Sequence, residues 1–304
     1  MDKERKIVGL GEVILDILFR GGQPVAAVHG GSSFNSIVSV GRSHVPCAFV
    51  GYTGADVVGR QTVRFMQDNG IDTTWFQLHE GEKSAISLAF LGDGGDASYL
   101  FYKEPPRQGM QWTLPPMSGG NILLFGSYYA ASMGMRPLVA QMLERAGQGG
   151  ATVYYDLNFR RNHQQDLPML MPGIEQNFRQ STIVRGSADD FDVIYGLRDA
   201  REVYNRYIAR YCPLLICTDG PAQISVCTPT ATYDFQAPPI ADVVSTVGAG
   251  DSFNAGFCCA LVWQGLRGDD LAQLDRQGWQ QLIDTACRFA GETCRSTENY
   301  IAPR

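Results

Sequence analysis

Short β-rich runs alternate with stretches of helical periodicity along this chain, and this alternation constrains the fold more than any other feature. The run "VPCAFVGYTG" is followed by the amphipathic "DVVGRQTVRFMQDNG", which ends at Gly70, and then by "TTWFQLHE". The same order continues through "ATVYYDLNF" and "PLLICTDG" in the second half. Strands that alternate with helices predict an α/β fold with a mostly parallel central sheet and helices on both faces.

Two segments in the first third of the chain interrupt this order. The stretch "SAISLAFLGDGGDASYLFYKE" alternates apolar and polar residues around "GDGGD", and "ILDILFRGGQPVAAVHGG" has two strand-like runs around a Gly-Gly turn. We predict that these inserts, approximately residues 13–29 and 83–104, form a small β-sheet lid on a single domain spanning 1–304. The alternative is that they extend the edge of the main sheet.

Charge and composition exclude several classes of partner. The net charge is −6, and the basic residues form no cluster that could follow a phosphate backbone, so nucleic acid is not expected as a partner. The charged start lacks a signal-peptide core, and no apolar run reaches membrane-spanning length, so we predict a cytoplasmic protein without membrane contact. The eight cysteines form no CxxC pair and are expected to be buried thiols, and the four histidines lack zinc-ligand spacing.

A glycine-rich turn, "STVGAGDSFN" at residues 245–254, precedes the apolar run "AGFCCALVW". Gly248, Ala249 and Gly250 would leave backbone N–H groups free at a helix start, where they can bind an anion. Asp251 then has two possible roles. It can cap the helix, or it can orient and deprotonate a hydroxyl that attacks a phosphoryl group.

Other phosphate-binding schemes fit this sequence less well. No GxxxxGK[ST] motif is present, and the protein-kinase motifs are missing. The segment "GLGEV" follows a strand but lacks the third glycine of a dinucleotide fingerprint, which leaves a hydride-transfer enzyme as the poorer alternative.

Six segments in order resemble the ribokinase-like (PfkB) carbohydrate kinases, in particular the branch of fructokinases and 2-keto-3-deoxygluconate kinases. "STVGAGDSF" resembles the family's C-terminal signature, and "GGSSFNSIVSVGRSHVPCAFVGYTGADVVG" resembles its first signature. The other four similar segments are "GEVILD", "DLNFR", "RGSADDFDVIYG" and "CTDGPAQISV".

The resemblance implies a role for each matching residue. Asp251 matches the catalytic base, and the three residues before it match the anion hole. The positions that match sugar-hydroxyl contacts are Asp16, Gly30, Gly31 and Asn35. Further substrate contacts are implied for Tyr102, Lys103 and Arg160, nucleotide contacts for Ser187, Thr218 and Gly220, and a water-mediated magnesium contact for Asp190.

Some of these residues have structural alternatives. Asn35 can cap the helix that follows it, and Asp16 can be an exposed strand residue. Arg160 can form a surface ion pair, and "RRNH" leaves open which arginine points inward. The "TDG" around Thr218 is also a plain turn.

Two positions depart from the family pattern. Ser245 stands where the family has an aspartate tied to a monovalent-cation site, and Ser187 and Asp190 stand where it has the Asn and Glu of NxxE. A serine hydroxyl binds potassium less well than a carboxylate does, so use of a monovalent cation is doubtful.

The resemblance implies an ATP- and Mg²⁺-dependent kinase of a small sugar or sugar acid. Fructose is the leading substrate, followed by 2-keto-3-deoxygluconate and then nucleosides. The alternative is a catalytically impaired sugar- or nucleotide-binding protein, suggested by Ser245 and the SADD segment. We also predict a homodimer formed through the lid, since Ile86, Leu88 and Phe90 would expose one apolar face of its sheet.

Overall fold

The computed structural model describes residues 5–91, 97–104 and 109–304 of the chain. The strands in these ranges are β1 Ile7–Leu10, β2 Ile14–Arg20, β3 Gln23–Gly30, β4 Cys47–Gly54, β5 Ile71–Asp72, β6 Phe76–His79, β7 Ile86–Leu91, β8 Ala97–Tyr102, β9 Ile122–Gly126, β10 Thr152–Asp156, β11 Ile183–Ser187, β12 Leu215–Asp219, β13 Gln223–Cys227 and β14 Thr232–Phe235. The helices are α1 Ser32–Arg42, α2 Val57–Asp68, α3 Ser127–Ala131, α4 Arg136–Gly149, α5 Leu167–Gln180, α6 Ala188–Tyr195, α7 Ala200–Val203, α8 Ala249–Trp263 and α9 Arg276–Cys294. Short 3₁₀ helices span Arg161–Asp166 and Gly268–Gln273, and a π-helical turn spans Tyr204–Ile208.

The main sheet has the strand order β14-β13-β12-β11-β10-β9-β1-β4-β5, with β6 also paired to β4. Its strands are parallel from β12 through β5, and only the pairs β12–β13 and β13–β14 are antiparallel. Parallel strands require crossover connections, which the helices between them supply. The predicted mostly parallel sheet is confirmed.

Helices cover both faces of this sheet because successive strand residues point to opposite sides. Tyr154 of β10 belongs to the core beneath α1, α2, α8 and α9, whereas Tyr155 belongs to the core beneath α3 to α7. Both tyrosines are fully buried, as are Ile7 and Val8 on β1, which also divide between the two cores. The central strands are therefore apolar on both faces.

The two inserts form a second, four-stranded sheet with the order β3-β2-β7-β8. Hairpin β2–β3 turns at Gly21 and Gly22, strand β7 pairs antiparallel with β8, and the two hairpins join through parallel pairing of β2 with β7. The predicted "GDGGD" turn, residues 92–96, lies outside the described residues. The inserts thus build a separate sheet, and they do not extend the edge of the main one.

Helix α8 is buried almost all round, which explains its continuous apolar sequence. All eight cysteines are unpaired and buried, as predicted, and two of them, Cys258 and Cys259, lie on this helix. In the described part of the chain, no helix has both the length and the apolar composition needed to cross a bilayer.

Gly256 allows α8 to approach α9 closely. A Cβ at this position would come within 2.9 Å of Ala286 Cα, Phe289 Cγ and the Thr285 carbonyl oxygen. Gly147, in helix α4, has nothing within 4 Å of the corresponding point.

We expect Gly256→Ala to lower the free energy of unfolding by about 1–3 kcal/mol, because the added methyl overpacks the α8–α9 contact. The matched control Gly147→Ala should raise it by about 0.5–1 kcal/mol, since it replaces an exposed helical glycine. Urea unfolding followed by circular dichroism measures both. A Gly256→Ala protein as stable as Gly147→Ala would contradict the close approach.

Candidate active site

Two cavities lie at the carboxyl ends of the parallel strands, where ligands bind in open α/β sheets. Their linings include residues that follow β1, β9 and β10 for one cavity, and residues at the ends of β11 and β12 for the other. A larger cavity of about 650 Å³ lies at the opposite edge, around Lys6, Cys47 and Asn121, at the amino ends of the strands. None of the predicted site residues lines that larger cavity.

The first cavity, which we call the Asp251 pocket, has a volume of about 180 Å³. It brings together most of the residues predicted to hold the substrate or to act on it. Those in its lining are Asp16, Gly30, Gly31, Asn35, Arg160, Gly248 and Asp251. Residues more than 200 positions apart in the chain therefore share one small pocket.

The carboxylate of Asp251 does not cap its helix. Helix α8 starts at Ala249 with Gly248 as the N-cap, so Asp251 lies in the first turn. Its Oδ1 accepts a hydrogen bond from Ser32 Oγ at 2.8 Å, and its Oδ2 accepts one from Asn35 Nδ2 at 2.8 Å. These bonds leave the carboxylate facing the pocket and exclude the capping alternative.

Asn35 likewise does not cap a helix. Helix α1 begins at Ser32 with Gly31 as its N-cap, which places Asn35 one turn inside. The side chain of Asn35 donates to Asp251, while its Oδ1 is buried and has no partner among the described residues. An unsatisfied buried acceptor in a pocket lining suits a ligand hydroxyl.

The environment of Asp251 raises its pKa to about 6. Removal of the carboxylate from water is the largest cause, and the negative charge of Asp156 adds to it. The hydrogen bonds from Asn35 and Ser32, together with the positive charge of Arg160, lower the pKa again. The group is therefore ionised at neutral pH and close to the range in which a general base is most effective.

Two glycines let backbone segments meet in the pocket. Gly31 has φ of 130°, and a Cβ there would lie 2.3 Å from the Glu12 carbonyl oxygen. Gly248 has φ of 79°, and a Cβ there would lie 2.1 Å from the Asn299 carbonyl oxygen. Any side chain at either position would push the start of α1 or α8 away from its neighbour.

Asp16 is on β2 of the four-stranded sheet and points toward the pocket. Its Oδ1 accepts from Ser87 Oγ on β7, and its Oδ2 occupies the space that a side chain at Gly30 would need. Burial raises the pKa of Asp16, while the Ser87 hydrogen bond and the charge of Arg160 lower it. The alternative of an exposed strand residue is not what the structure shows.

The structure also resolves which arginine points inward. Arg160 lines the Asp251 pocket, whereas Arg161 forms an ion pair with Asp192 at 3.0 Å on the surface. No hydrogen bond or ion pair of the Arg160 side chain is seen within the described ranges. Its guanidinium is therefore available to a ligand.

The structure does not bring Tyr102 into the pocket. Residues 99 and 101 of β8 line the pocket, and alternation along the strand turns Tyr102 to the opposite face, where it is 53% exposed. Lys103 reaches the site only indirectly, through an ion pair of 3.1 Å with Glu12 in the pocket lining. The register of β8 thus corrects the predicted substrate contact of Tyr102.

The second cavity, which we call the Thr218 cavity, has a volume of about 450 Å³. All three predicted nucleotide contacts line it, together with the two residues of the glycine-rich turn that lie between Gly248 and Asp251. These residues are Ser187, Thr218, Gly220, Ala249 and Gly250. The far wall of the cavity is apolar, with Ile240, Val243 and Ala290.

Asp190 has a structural role that the predicted magnesium contact did not anticipate. Its Oδ2 accepts from the backbone N–H of Ser187 at 2.6 Å, and its Oδ1 accepts from that of Phe159 at 2.7 Å. Ser187 Oγ in turn accepts from the Asp190 N–H, which completes a capping box at the start of α6. Because both carboxylate oxygens are engaged and buried, Asp190 is not placed to order the water shell of a metal ion.

Ser245 is likewise engaged within the chain. Its hydroxyl accepts from the Val247 N–H at 3.2 Å, and its own N–H donates to the Cys294 carbonyl at 3.2 Å. The side chain therefore stabilises the turn before Gly248 and contributes no charge to it.

The sequence analysis did not single out three residues that surround the predicted base. Ser32 donates to Asp251, Asp156 lies 3.5 Å from Ser32 Oγ, and Arg185 pairs with Asp156 at 2.9 Å. Signals were present for each of them. Ser32 lies three residues before Asn35 on one helix face, and Asp156 and Arg185 are charged residues on otherwise buried strands.

A family model matches residues 21–298, which is most of the chain, and it describes the pfkB family of carbohydrate kinases. The chain belongs to this family. It is therefore a carbohydrate kinase by family, and the two cavities are its candidate substrate and nucleotide sites.

Curated relatives are similar over most of their length. The chain is 26% identical to a fructokinase of Salmonella typhimurium over 274 residues, which cover 87% of each protein. It is 28% identical to an aminoimidazole riboside kinase of the same species over 269 residues, covering 86% of this chain and 82% of the relative.

Among solved structures, the fold is similar to a double mutant of the fructokinase of Vibrio cholerae O395 in a fructose-, ADP- and potassium-bound form. The TM-score is 0.83 at 19% identity, with 98% of this chain and 95% of that chain covered. At this identity the similarity concerns the fold.

Proposed function

We propose that this kinase transfers the terminal phosphoryl group of ATP to a primary hydroxyl of a small sugar or sugar acid, with fructose favoured. The observation that carries the proposal is the position of the turn at residues 248–251 between the two cavities. Gly248 and Asp251 line one cavity, and Ala249 and Gly250 line the other. This turn therefore borders both the site of a sugar and the site of a nucleotide.

In the proposed reaction, Asp251 accepts the proton of the substrate hydroxyl as its oxygen attacks the terminal phosphorus. The new O–P bond forms while the bond to the bridging oxygen breaks, and ADP leaves. Backbone N–H groups at the start of α8 stabilise the charge that develops on the phosphoryl oxygens. The Ala249 N–H donates to the Thr246 carbonyl at 3.2 Å, a long bond that an anion can displace.

The dimensions and polarity of the Asp251 pocket support a small polyhydroxylated substrate. Its volume of about 180 Å³ is below the range of about 300–1,000 Å³ that is usual for ligand sites, and Asp16, Asn35 and Arg160 offer both acceptors and donors. Fructose is favoured because similar curated proteins are named fructokinases. The free guanidinium of Arg160 suits a sugar acid, which keeps 2-keto-3-deoxygluconate second and nucleosides third.

Magnesium is expected to enter with ATP. Within the described residues, no three His, Cys, Asp or Glu side chains are grouped as metal ligands, and Asp190 is engaged in its capping box. The described residues therefore fit a metal that the nucleotide phosphates bind and that keeps several of its waters, and they offer no group of three side-chain ligands for it. With a serine at 245, the proposal assigns no monovalent cation to that side chain.

Release of ADP from ATP and Mg²⁺ with fructose, 2-keto-3-deoxygluconate, ribose, tagatose and adenosine tests the function. We expect fructose to give the highest kcat/KM. Asp251→Asn should lower kcat by about a hundredfold or more, because the amide cannot accept the hydroxyl proton. Its melting temperature and its affinity for the sugar should stay close to those of the wild type.

Two outcomes would contradict this assignment. Normal turnover by Asp251→Asn would show that the carboxylate only positions α1 against α8. A wild-type protein that is stabilised by sugars and ATP in thermal-shift assays, yet turns over none of the panel, would be the impaired binding protein considered above.

We expect kcat/KM for the sugar to fall as the pH drops through about 6. The pKa of Asp251 is raised, so the carboxyl is protonated below that pH and cannot act as a base. Steady-state rates between about pH 5 and pH 8 at saturating ATP and Mg²⁺ measure the acid limb.

The terminal phosphate of ATP also titrates near this pH, so a variant is needed to decide which group causes the acid limb of the pH–rate profile. Asp156→Asn removes the neighbouring negative charge and should move the limb to lower pH, since it lowers the pKa of Asp251. A limb that stays in place in Asp156→Asn would belong to the nucleotide.

A homodimer through the four-stranded sheet completes the proposal. The face of this sheet that turns away from the Asp251 pocket carries Phe90, Leu100 and Tyr102, which are 43%, 50% and 53% exposed. An open sheet with an apolar outer face invites association. The inner face, with Asp16 and Phe101, would then act as the predicted lid over the pocket.

Light scattering should give twice the chain mass of 33.3 kDa, and Leu100→Glu should give the monomer. Met169→Glu, which changes an exposed apolar residue on α5, is the control and should leave the dimer intact. A wild-type monomer at assay concentration would remove the dimer without affecting the kinase function.

A further inference from the structure

Arg185 is a buried arginine beside Gly250 of the glycine-rich turn. It is on β11, three residues before the start of α6, and it is only 7% exposed, yet its side chain lines the Thr218 cavity. Arg185 and Asp189 are the charged residues in the described lining of that cavity, and Asp189 points to the surface, where it pairs with Arg198.

The guanidinium of Arg185 lies directly against the glycine-rich turn. A Cβ at Gly250 would come within 3.2 Å of Nη2 and 3.4 Å of Nη1. The same Nη1 donates to Asp156 at 2.9 Å, and Nη2 donates to Thr218 Oγ1 at 2.8 Å. The planar group is thus fixed beside the start of α8.

The hydrogen-bonding capacity of this guanidinium is not filled. Arginine has five N–H donors, and Nε of Arg185 is buried without a partner among the described residues. An unsatisfied buried donor is costly, and more so when it carries charge. Asp156, in contrast, also accepts from Asn254 Nδ2 at 2.8 Å, so its carboxylate has support besides Arg185.

We propose that Arg185 binds the terminal phosphoryl group of the nucleotide and stabilises its charge during transfer. The apolar wall of the Thr218 cavity, with Ile240 and Val243, suits the base of the nucleotide, which directs the phosphates toward Gly250 and Arg185. A chain of contacts joins Arg185 to Asp251. Arg185 donates to Asp156 at 2.9 Å, and Ser32 Oγ lies 3.5 Å from Asp156 and 2.8 Å from Asp251. The phosphate that lies nearest Asp251, which is the terminal one, is therefore the one that the guanidinium contacts.

This role explains why a charged arginine occupies a buried position at residue 185, where an apolar side chain would be easier to bury. A buried ion pair that serves only stability can often be replaced by apolar residues without loss. Phosphoryl transfer, however, needs cationic stabilisation of the transferring group, and Arg185 would supply it beside the Mg²⁺ that enters with the nucleotide. A planar guanidinium is well matched to phosphate oxygens.

The test measures the affinity for nucleotides and not turnover. The inference rests on the proposed function only because it takes ATP to be the nucleotide. Isothermal titration with a non-hydrolysable ATP analogue, ADP and adenosine, all with Mg²⁺, compares the wild type with Arg185→Gln. The double variant Asp156→Asn/Arg185→Gln removes the buried pair together and keeps the site neutral if the single variant fails to fold. Arg206→Gln, on an exposed turn and paired with Glu202, is the control.

We expect Arg185→Gln and the double variant to bind the analogue about tenfold to a hundredfold more weakly, the range for a lost hydrogen bond to a charged group. Affinity for ADP should fall less, and affinity for adenosine should not change. Unchanged affinity for the analogue, or equal losses for the analogue and ADP, would overturn the proposal. A wild-type protein that binds no nucleotide would refute the kinase function and this proposal with it.

Discussion

The contact between the first turns of α1 and α8 is the interaction on which the site depends. Ser32 and Asn35 on α1 hold the two oxygens of Asp251, and Ser36 Oγ donates to the Asp251 backbone carbonyl at 2.8 Å. One turn deeper, Ser39 and Ser252 share a hydrogen bond of 3.2 Å. Small polar side chains allow the two helices to approach closely enough for these hydrogen bonds to form. The carboxylate is thereby fixed in direction before any ligand binds, which is the condition for an efficient base.

The electrostatics of the site follow from the same close packing. Asp156 and Asp251 are two carboxylates bridged by one hydroxyl, and each disfavours the charge of the other. Arg185 offsets the charge of Asp156 and adds positive charge to the Thr218 cavity. The site thus keeps Asp156 paired with Arg185 and raises the pKa of Asp251, so that the two acids have different tasks.

The fold and the positions of the motifs were predictable from the sequence, because strand and helix periodicity and glycine-rich turns are local signals. Asp251, Asn35 and Thr218 therefore fall where their motifs imply. The roles of Tyr102 and Asp190 depended on nonlocal geometry. Which face of β8 a residue occupies follows from its pairing with β7, and the second carboxylate oxygen of Asp190 accepts from a backbone N–H 31 residues earlier. Arg185 was overlooked because a single charged residue in a buried strand identifies no partner by itself.

The hydrogen bonds that hold Asp251 join residues 216 and 219 positions apart. During synthesis, β1, the four-stranded sheet and α1 leave the ribosome long before α8 exists, so the early half of the chain presents half of a pocket with no base in it. Closing so long a loop costs entropy that only the completed α8–α9 core can offset. The proposed phosphoryl transfer is consequently a property that the chain acquires only once α8 has formed, and nascent or shortened chains without α8 would lack it.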